Sequence, residues 1–260
     1  MLLQNKVAIV YGAAGAIGGA VARAFASEGA RVFVTGRRRE AVATLARDIG
    51  NSAEAAEVDA LDEAAIEEHL DSVVTKAGRV DISFNAIGVT DDKILGAPLA
   101  EMSLERFLLP ITAYVTSYFL TARLAARRML PNKSGVIMTV SALPARMGSS
   151  LNGGYGPAQA AKEALTRDLS LEFARHGLRA VCLRPHAIPE TSTMREVFEL
   201  KGKPAGMAWE QFAGQLAGTT HPKRVMRLDE VANVAAFAAS DKASGLTGTV
   251  LNLTMGSLDD

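Results

Sequence analysis

Residues 7–19 read Val7-Ala8-Ile9-Val10-Tyr11-Gly12-Ala13-Ala14-Gly15-Ala16-Ile17-Gly18-Gly19, an apolar run that passes straight into glycines spaced by three. The five apolar residues suit a buried strand, and a helical period begins near Ile17. Glycine at a strand-to-helix turn lets the main chain approach a phosphate closely. The helix start that follows offers free N–H groups and the positive end of its dipole. Gly12, Gly15 and Gly18 are therefore candidate dinucleotide-binding residues, on condition that a series of βα units follows.

The series does follow. Strand-like segments at 31–35, 57–59, 81–86, 135–141, 179–183 and 250–253 alternate with helical periods at 17–28, 40–49, 63–76, 104–129, 157–175 and 229–239. This alternation predicts an α/β fold, a doubly wound parallel sheet of Rossmann type with helices on both faces. No repeat or Pro/Ser-rich linker divides the chain, so residues 1–260 read as a single domain. Its least regular stretch, 189–224, contains Gly202, Pro204, Gly206, Gly214, Gly218 and Pro222, and is expected to form a lid over the substrate.

Composition excludes other classes. The 28 Lys and Arg balance 28 Asp and Glu, so no global field draws in nucleic acid or an anionic membrane. Cys182 is the single cysteine and lies in an apolar run, which rules out a disulfide framework. No apolar window reaches membrane-spanning length, and the N-terminus lacks a signal-peptide pattern. No Cys/His/carboxylate spacing suggests a metal. The expected setting is cytoplasmic, and the expected partner is a small-molecule substrate, with neither nucleic acid nor membrane.

The end of the second strand carries Thr35-Gly36-Arg37-Arg38-Arg39. An acid at this place would accept from an adenosine ribose hydroxyl and repel a 2′-phosphate, whereas a guanidinium grips the phosphate with paired hydrogen bonds. Arg37 and Arg38 thus predict NADP(H) in preference to NAD(H).

With these motifs the chain resembles the short-chain dehydrogenase/reductase family over nearly its whole length. Val58-Asp59 looks like that family's adenine contact, and Phe84-Asn85-Ala86-Ile87-Gly88 like its Asn-Asn-Ala-Gly segment. Arg184-Pro185-His186 resembles the Arg-Pro-Gly that closes over the nicotinamide. The resemblance implies Ile17, Asp59, Asn85, Lys162, Pro185 and Ile188 as cofactor contacts beside the three glycines. It also implies a homodimer or homotetramer formed through the long helix 104–129, in which Pro110 is expected to mark a start or kink.

In the family a tyrosine gives a proton to the substrate oxygen, a lysine four residues later on the same helical face lowers its pKa, a serine binds the oxygen and an asparagine completes a tetrad. Lys162 falls at the lysine's place. Ala158 stands four residues earlier, the long helix holds no Asn, and Ala142 takes the serine's place with Ser141 one residue off. The tetrad is therefore degenerate. Tyr155 precedes Lys162 by seven residues, about two helical turns, a spacing similar to that of the family's enoyl-thioester-reducing branch. Pro157 is expected at the first helical position, leaving Tyr155 on a glycine-flanked loop. Catalytic candidates are Tyr155, Lys162 and Ser141, with His186 a second possible acid. The expected function is NADP(H)-dependent reduction of a carbonyl or activated C=C through an atypical proton donor. The competing reading is a catalytically degenerate NADP(H)-binding sensor or assembly protein.

Overall fold

The computed structural model describes residues 1–259. β1 (Val7–Tyr11), α1 (Ala16–Ser27), β2 (Arg31–Gly36), α2 (Arg39–Ile49), β3 (Ala53–Glu57), α3 (Glu63–Ala77) and β4 (Ile82–Asn85) make up the first half. α4 (Leu104–Met129), β5 (Gly135–Val140), α5 (Tyr155–Phe173), β6 (Leu178–Pro185), α6 (Ser192–Val197), α7 (Trp209–Thr219), α8 (Leu228–Ala239) and β7 (Thr249–Leu253) make up the second. The seven strands form one parallel sheet in the order β3-β2-β1-β4-β5-β6-β7. The winding reverses between β1 and β4, so their C-terminal ends part and leave a crevice there.

The strands bury both faces, and the period of two decides which helix each residue meets. Ala8 and Val10 join the core built with Val21, Phe25, Val42 and Ala235 of α1, α2 and α8. Val7, Ile9 and Tyr11 join the opposite core with Ile66, Leu70, Leu124 and Leu169 of α3, α4 and α5.

Two expectations are corrected. The third strand lies at 53–57, before Val58-Asp59 rather than through it. It is the sheet's edge strand, and its Ala/Glu alternation lacks the β-branched run that marks the others; Glu54 instead holds Arg31 at 2.5 Å and Lys76 at 2.8 Å. α5 begins at Tyr155, two residues ahead of Pro157. Proline is accommodated in this first turn because the N–H it lacks has no partner within the helix. Pro110 likewise lies inside a continuous α4, buried, without ending it.

Residues 189–224 fold as α6, a wide turn at 198–202 and α7. Phe198, Trp209 and Phe212 pack together in that segment, with Arg195 stacked 3.5 Å over the Trp209 ring.

β5, α5 and β6 are joined by a buried ion pair. Arg184 Nε and Nη2 each donate to Glu163, both at 2.8 Å, and the Ser141 hydroxyl donates to the same carboxylate at 2.7 Å. Removing one side of such a pair costs far more than removing a surface pair. Glu163→Ala should lower the unfolding free energy by about 3–5 kcal/mol in urea titration; a loss below about 1 kcal/mol, the range of exposed pairs, would contradict this.

Candidate active site

The cofactor end grows out of the β1–α1 turn. Gly12 has φ +75°, and a Cβ there would lie 2.6 Å from the Ala86 carbonyl oxygen. At Gly18 a Cβ would meet the Gly12 carbonyl at 2.5 Å. Any side chain at either position would force apart the turn, the β4 loop and α1. Gly15 is the N-cap of α1 and carries no capping side chain, so the helix's first N–H groups face the crevice. Ile17 is half-buried on the first turn of α1.

Arg37 and Arg38 are exposed where β2 ends, with Arg39 opening α2. None of the three forms an ion pair among the described residues. Asp59 lies past the end of β3, its carboxylate accepting from the Leu61 N–H. Asn85 is buried: its amide donates to Thr121 at 3.1 Å and its Oδ1 accepts from the Ile87 N–H, which ties the β4 loop to α4. Pro185 and Ile188 are buried at and beyond the end of β6. The glycine cradle, the free helix start and the unpaired guanidinium groups fit a dinucleotide with its phosphates at this end.

The chemical end lies where α4 and α5 pack against each other. Successive turns of α4 direct Tyr114, Ser117, Tyr118 and Thr121 inward, and Tyr118 meets Thr166 of α5 at 3.0 Å. Lys162 is 1% exposed; its ammonium donates to the Val140 carbonyl and lies 5.5 Å from the centroid of the Tyr114 ring. Burial pushes its pKa down to about 8. Tyr155 meets Tyr114 edge to face, with centroids 5.8 Å apart. Burial raises the Tyr155 phenol well above its ordinary value, and that of Tyr114 to about 12.

Close backbone contact produces this arrangement. A Cβ on Gly154, the N-cap of α5, would lie 1.9 Å from the Phe107 carbonyl of α4. Only glycine lets α5 start this close, which places Tyr155 against Tyr114.

The Tyr114 ring thus contacts both Lys162 and Tyr155, and the Tyr155 hydroxyl is hydrogen-bonded to Gln159. Ser141 is directed elsewhere, its hydroxyl donating to Glu163. The His186 ring, whose pKa burial lowers, faces Thr219 of α7 at 3.1 Å.

Two residues that the sequence reading missed belong to this end. Tyr114 carries no sequence signal, because a tyrosine within an amphipathic helix reads as core. Asp91 follows the β4 loop and is 3% exposed, with one carboxylate oxygen lacking a hydrogen-bond partner among the described residues. Burial, reinforced by Glu196 and opposed by Lys201, raises its pKa to about 7. The Asp-Asp-Lys run at 91–93 was the available signal, but it reads as a solvated turn.

A seven-stranded parallel sheet with a glycine cradle at its switch point defines an α/β protein of the dinucleotide-binding class. The profile of the Enoyl-(Acyl carrier protein) reductase family matches residues 12–257. Secoisolariciresinol dehydrogenase of Forsythia intermedia is 31% identical over 250 residues, 95% of this chain and 86% of that one. The structure of actinorhodin polyketide ketoreductase with NADPH superposes with a TM-score of 0.89 at 25% identity, over 97% of each chain. That of NAD+-bound xylitol dehydrogenase superposes with a TM-score of 0.90 at 26% identity, over 97% of this chain and 99% of that one. The chain belongs to the short-chain dehydrogenase/reductase family and is an NAD(P)-dependent oxidoreductase of that type. Among the described residues, no helix is long and apolar enough to cross a membrane.

Lys162 makes a pH prediction with a definite sign. The unfolded chain keeps the ammonium proton up to about pH 10.5, the folded chain only to about 8. Between these values the unfolded state binds more protons, so stability rises with pH, and below about 8 the whole penalty applies. Lys162→Met should therefore raise the unfolding free energy at pH 7, by roughly 3 kcal/mol at most. The gain should shrink from pH 8 to 10.5; a gain independent of pH would contradict it.

Proposed function

We propose that the chain is an NADP(H)-dependent reductase of a carbonyl or an activated C=C, with Tyr155 as proton donor and Lys162 as its electrostatic partner. The observation that carries this reading is the contiguous Lys162–Tyr114–Tyr155 contact at the sheet's C-terminal edge.

Gly12, Gly15 and Gly18 would hold the pyrophosphate, with Ile17 on the same helix turn. Arg37 and Arg38 would hold the 2′-phosphate. Asp59 and Asn85 would border the adenosine side, and Pro185 and Ile188 the nicotinamide side. When bound, the reduced nicotinamide supplies two electrons as a hydride to the substrate carbon.

The protein's own residues handle the oxygen. As the carbonyl π pair moves onto oxygen, the Tyr155 hydroxyl gives it the proton and becomes a phenolate. For an activated C=C the same proton goes to the enolate that forms. Gln159, which hydrogen-bonds the Tyr155 hydroxyl, would lower the cost of that phenolate together with the Lys162 ammonium beyond the Tyr114 ring, and solvent restores its proton. Ser141 supports the site through Glu163. Residues 189–224 would close over the substrate, since Lys201 of that segment donates to the Ser150 carbonyl at 2.8 Å and to Asn152 just before α5. A single sheet served by all seven strands supports one domain, and exposed Leu108, Phe119 and Leu171 on α4 and α5 support a homodimer or homotetramer.

The test is NADPH and NADH oxidation against ketones, quinones and enoyl thioesters. Turnover with NADPH should fall at least 100-fold in Tyr155→Phe, the scale of general-acid catalysis. Arg37→Glu with Arg38→Glu should move the preference toward NADH. Tight NADPH binding without turnover on any of these substrates would overturn the reading in favour of the sensor, and an unchanged preference would remove the 2′-phosphate assignment.

A further inference from the structure

Reduction of a carbonyl needs a second donor besides the acid, one that holds the oxygen while negative charge grows on it. The residue at the family's serine place is Ala142, and Ser141 already donates to Glu163 at 2.7 Å. The site as described above therefore has a proton donor and no holder.

Tyr114 has the required geometry. Its hydroxyl oxygen accepts from the Val89 N–H at 3.2 Å, and its own proton has no acceptor among the described residues. The side chain is 5% exposed, so water satisfies that proton poorly. The ring is clamped on three sides. Lys162 lies over it, Tyr155 meets it edge-on, and Ile94, Leu95 and Ala158 share its apolar cluster. Position is thus held by packing, and the Val89 bond fixes the oxygen, leaving one direction in which the O–H can donate. The loop that carries Val89 and the buried Asp91 borders the hydroxyl.

We infer that Tyr114 is a catalytic residue whose hydroxyl donates a hydrogen bond to the substrate oxygen, while Tyr155 delivers the proton. Tyr114 keeps its own proton throughout, so the electron and atom balance of the reduction is unchanged. The substrate class that needs such a pair carries a carbonyl or thioester oxygen on which charge develops. This inference rests on the oxidoreductase reading of the same site.

The experiment compares wild type with Tyr114→Phe, which keeps the ring and its packing. Acetoacetyl thioester serves as probe. Trp209, the chain's single tryptophan, reports binding by fluorescence in the presence of NADP+, where no reduction can occur. The expected result is a kcat with NADPH lower by about 100-fold, the scale of removing one oxyanion donor. Probe affinity should weaken by about 5–10-fold, the scale of one neutral hydrogen bond. NADPH affinity and unfolding midpoint should be unchanged. Unaltered kcat and probe affinity in Tyr114→Phe would overturn the inference and leave the reductase reading intact. A wild-type chain that neither binds nor reduces the probe, nor any ketone, quinone or enoyl thioester, would remove both.

Discussion

A buried ammonium governs this site. Lys162 belongs to α5, which must pack against α4 and the sheet, and its side chain reaches the C-terminal edge of β5 through apolar surroundings. Desolvating a cation costs several kcal/mol unless dipoles and π faces compensate. Here the Val140 carbonyl and the Tyr114 ring do so in part, and burial still lowers the pKa to about 8. Everything near the lysine is arranged to serve that need. The ring must lie close, α4 must therefore approach α5, and Gly154 must be a glycine for the approach to occur.

Tyr114 of α4, Ala158 of α5 and Ile94 and Leu95 share one apolar cluster, with Tyr155 packed against it. A tyrosine four residues before the lysine would fill it from α5. In this chain Ala158 leaves it open, and Tyr114 enters it from α4. Tyr155, displaced by one helical turn, packs on the outer edge of that ring.

The frame was legible because it rests on local signals. Apolar strands, glycine spacing and helical period depend on neighbours in sequence, and Val7 to Gly19 alone placed the first βα unit. The bounds of α4 were readable to the residue because Ser103 caps its start and the period is unbroken. Edge strand β3 was shifted because alternating Ala and Glu carry no strong period. Pro157 points to a helix start at itself, yet α5 starts at Tyr155, because positions one to three all lack helical acceptors for their N–H groups and proline fits any of them. The role of Tyr114 lay beyond sequence reading altogether. Its meaning depends on Lys162, 48 residues away, and on a helix approach set by the missing side chain of Gly154. Ser141 illustrates the same limit, since its commitment to Glu163 depends on how α5 meets β5.

The central claim is that Tyr114 and a residue at 158 compete for a single space beside Lys162. The most direct test is the thermal unfolding midpoint of Ala158→Tyr, Tyr114→Ala and the double variant, analysed as a cycle. The account predicts that each single variant is destabilised, the first by overpacking and the second by a cavity, and that the double variant recovers most of the combined loss. Losses that simply add would contradict it.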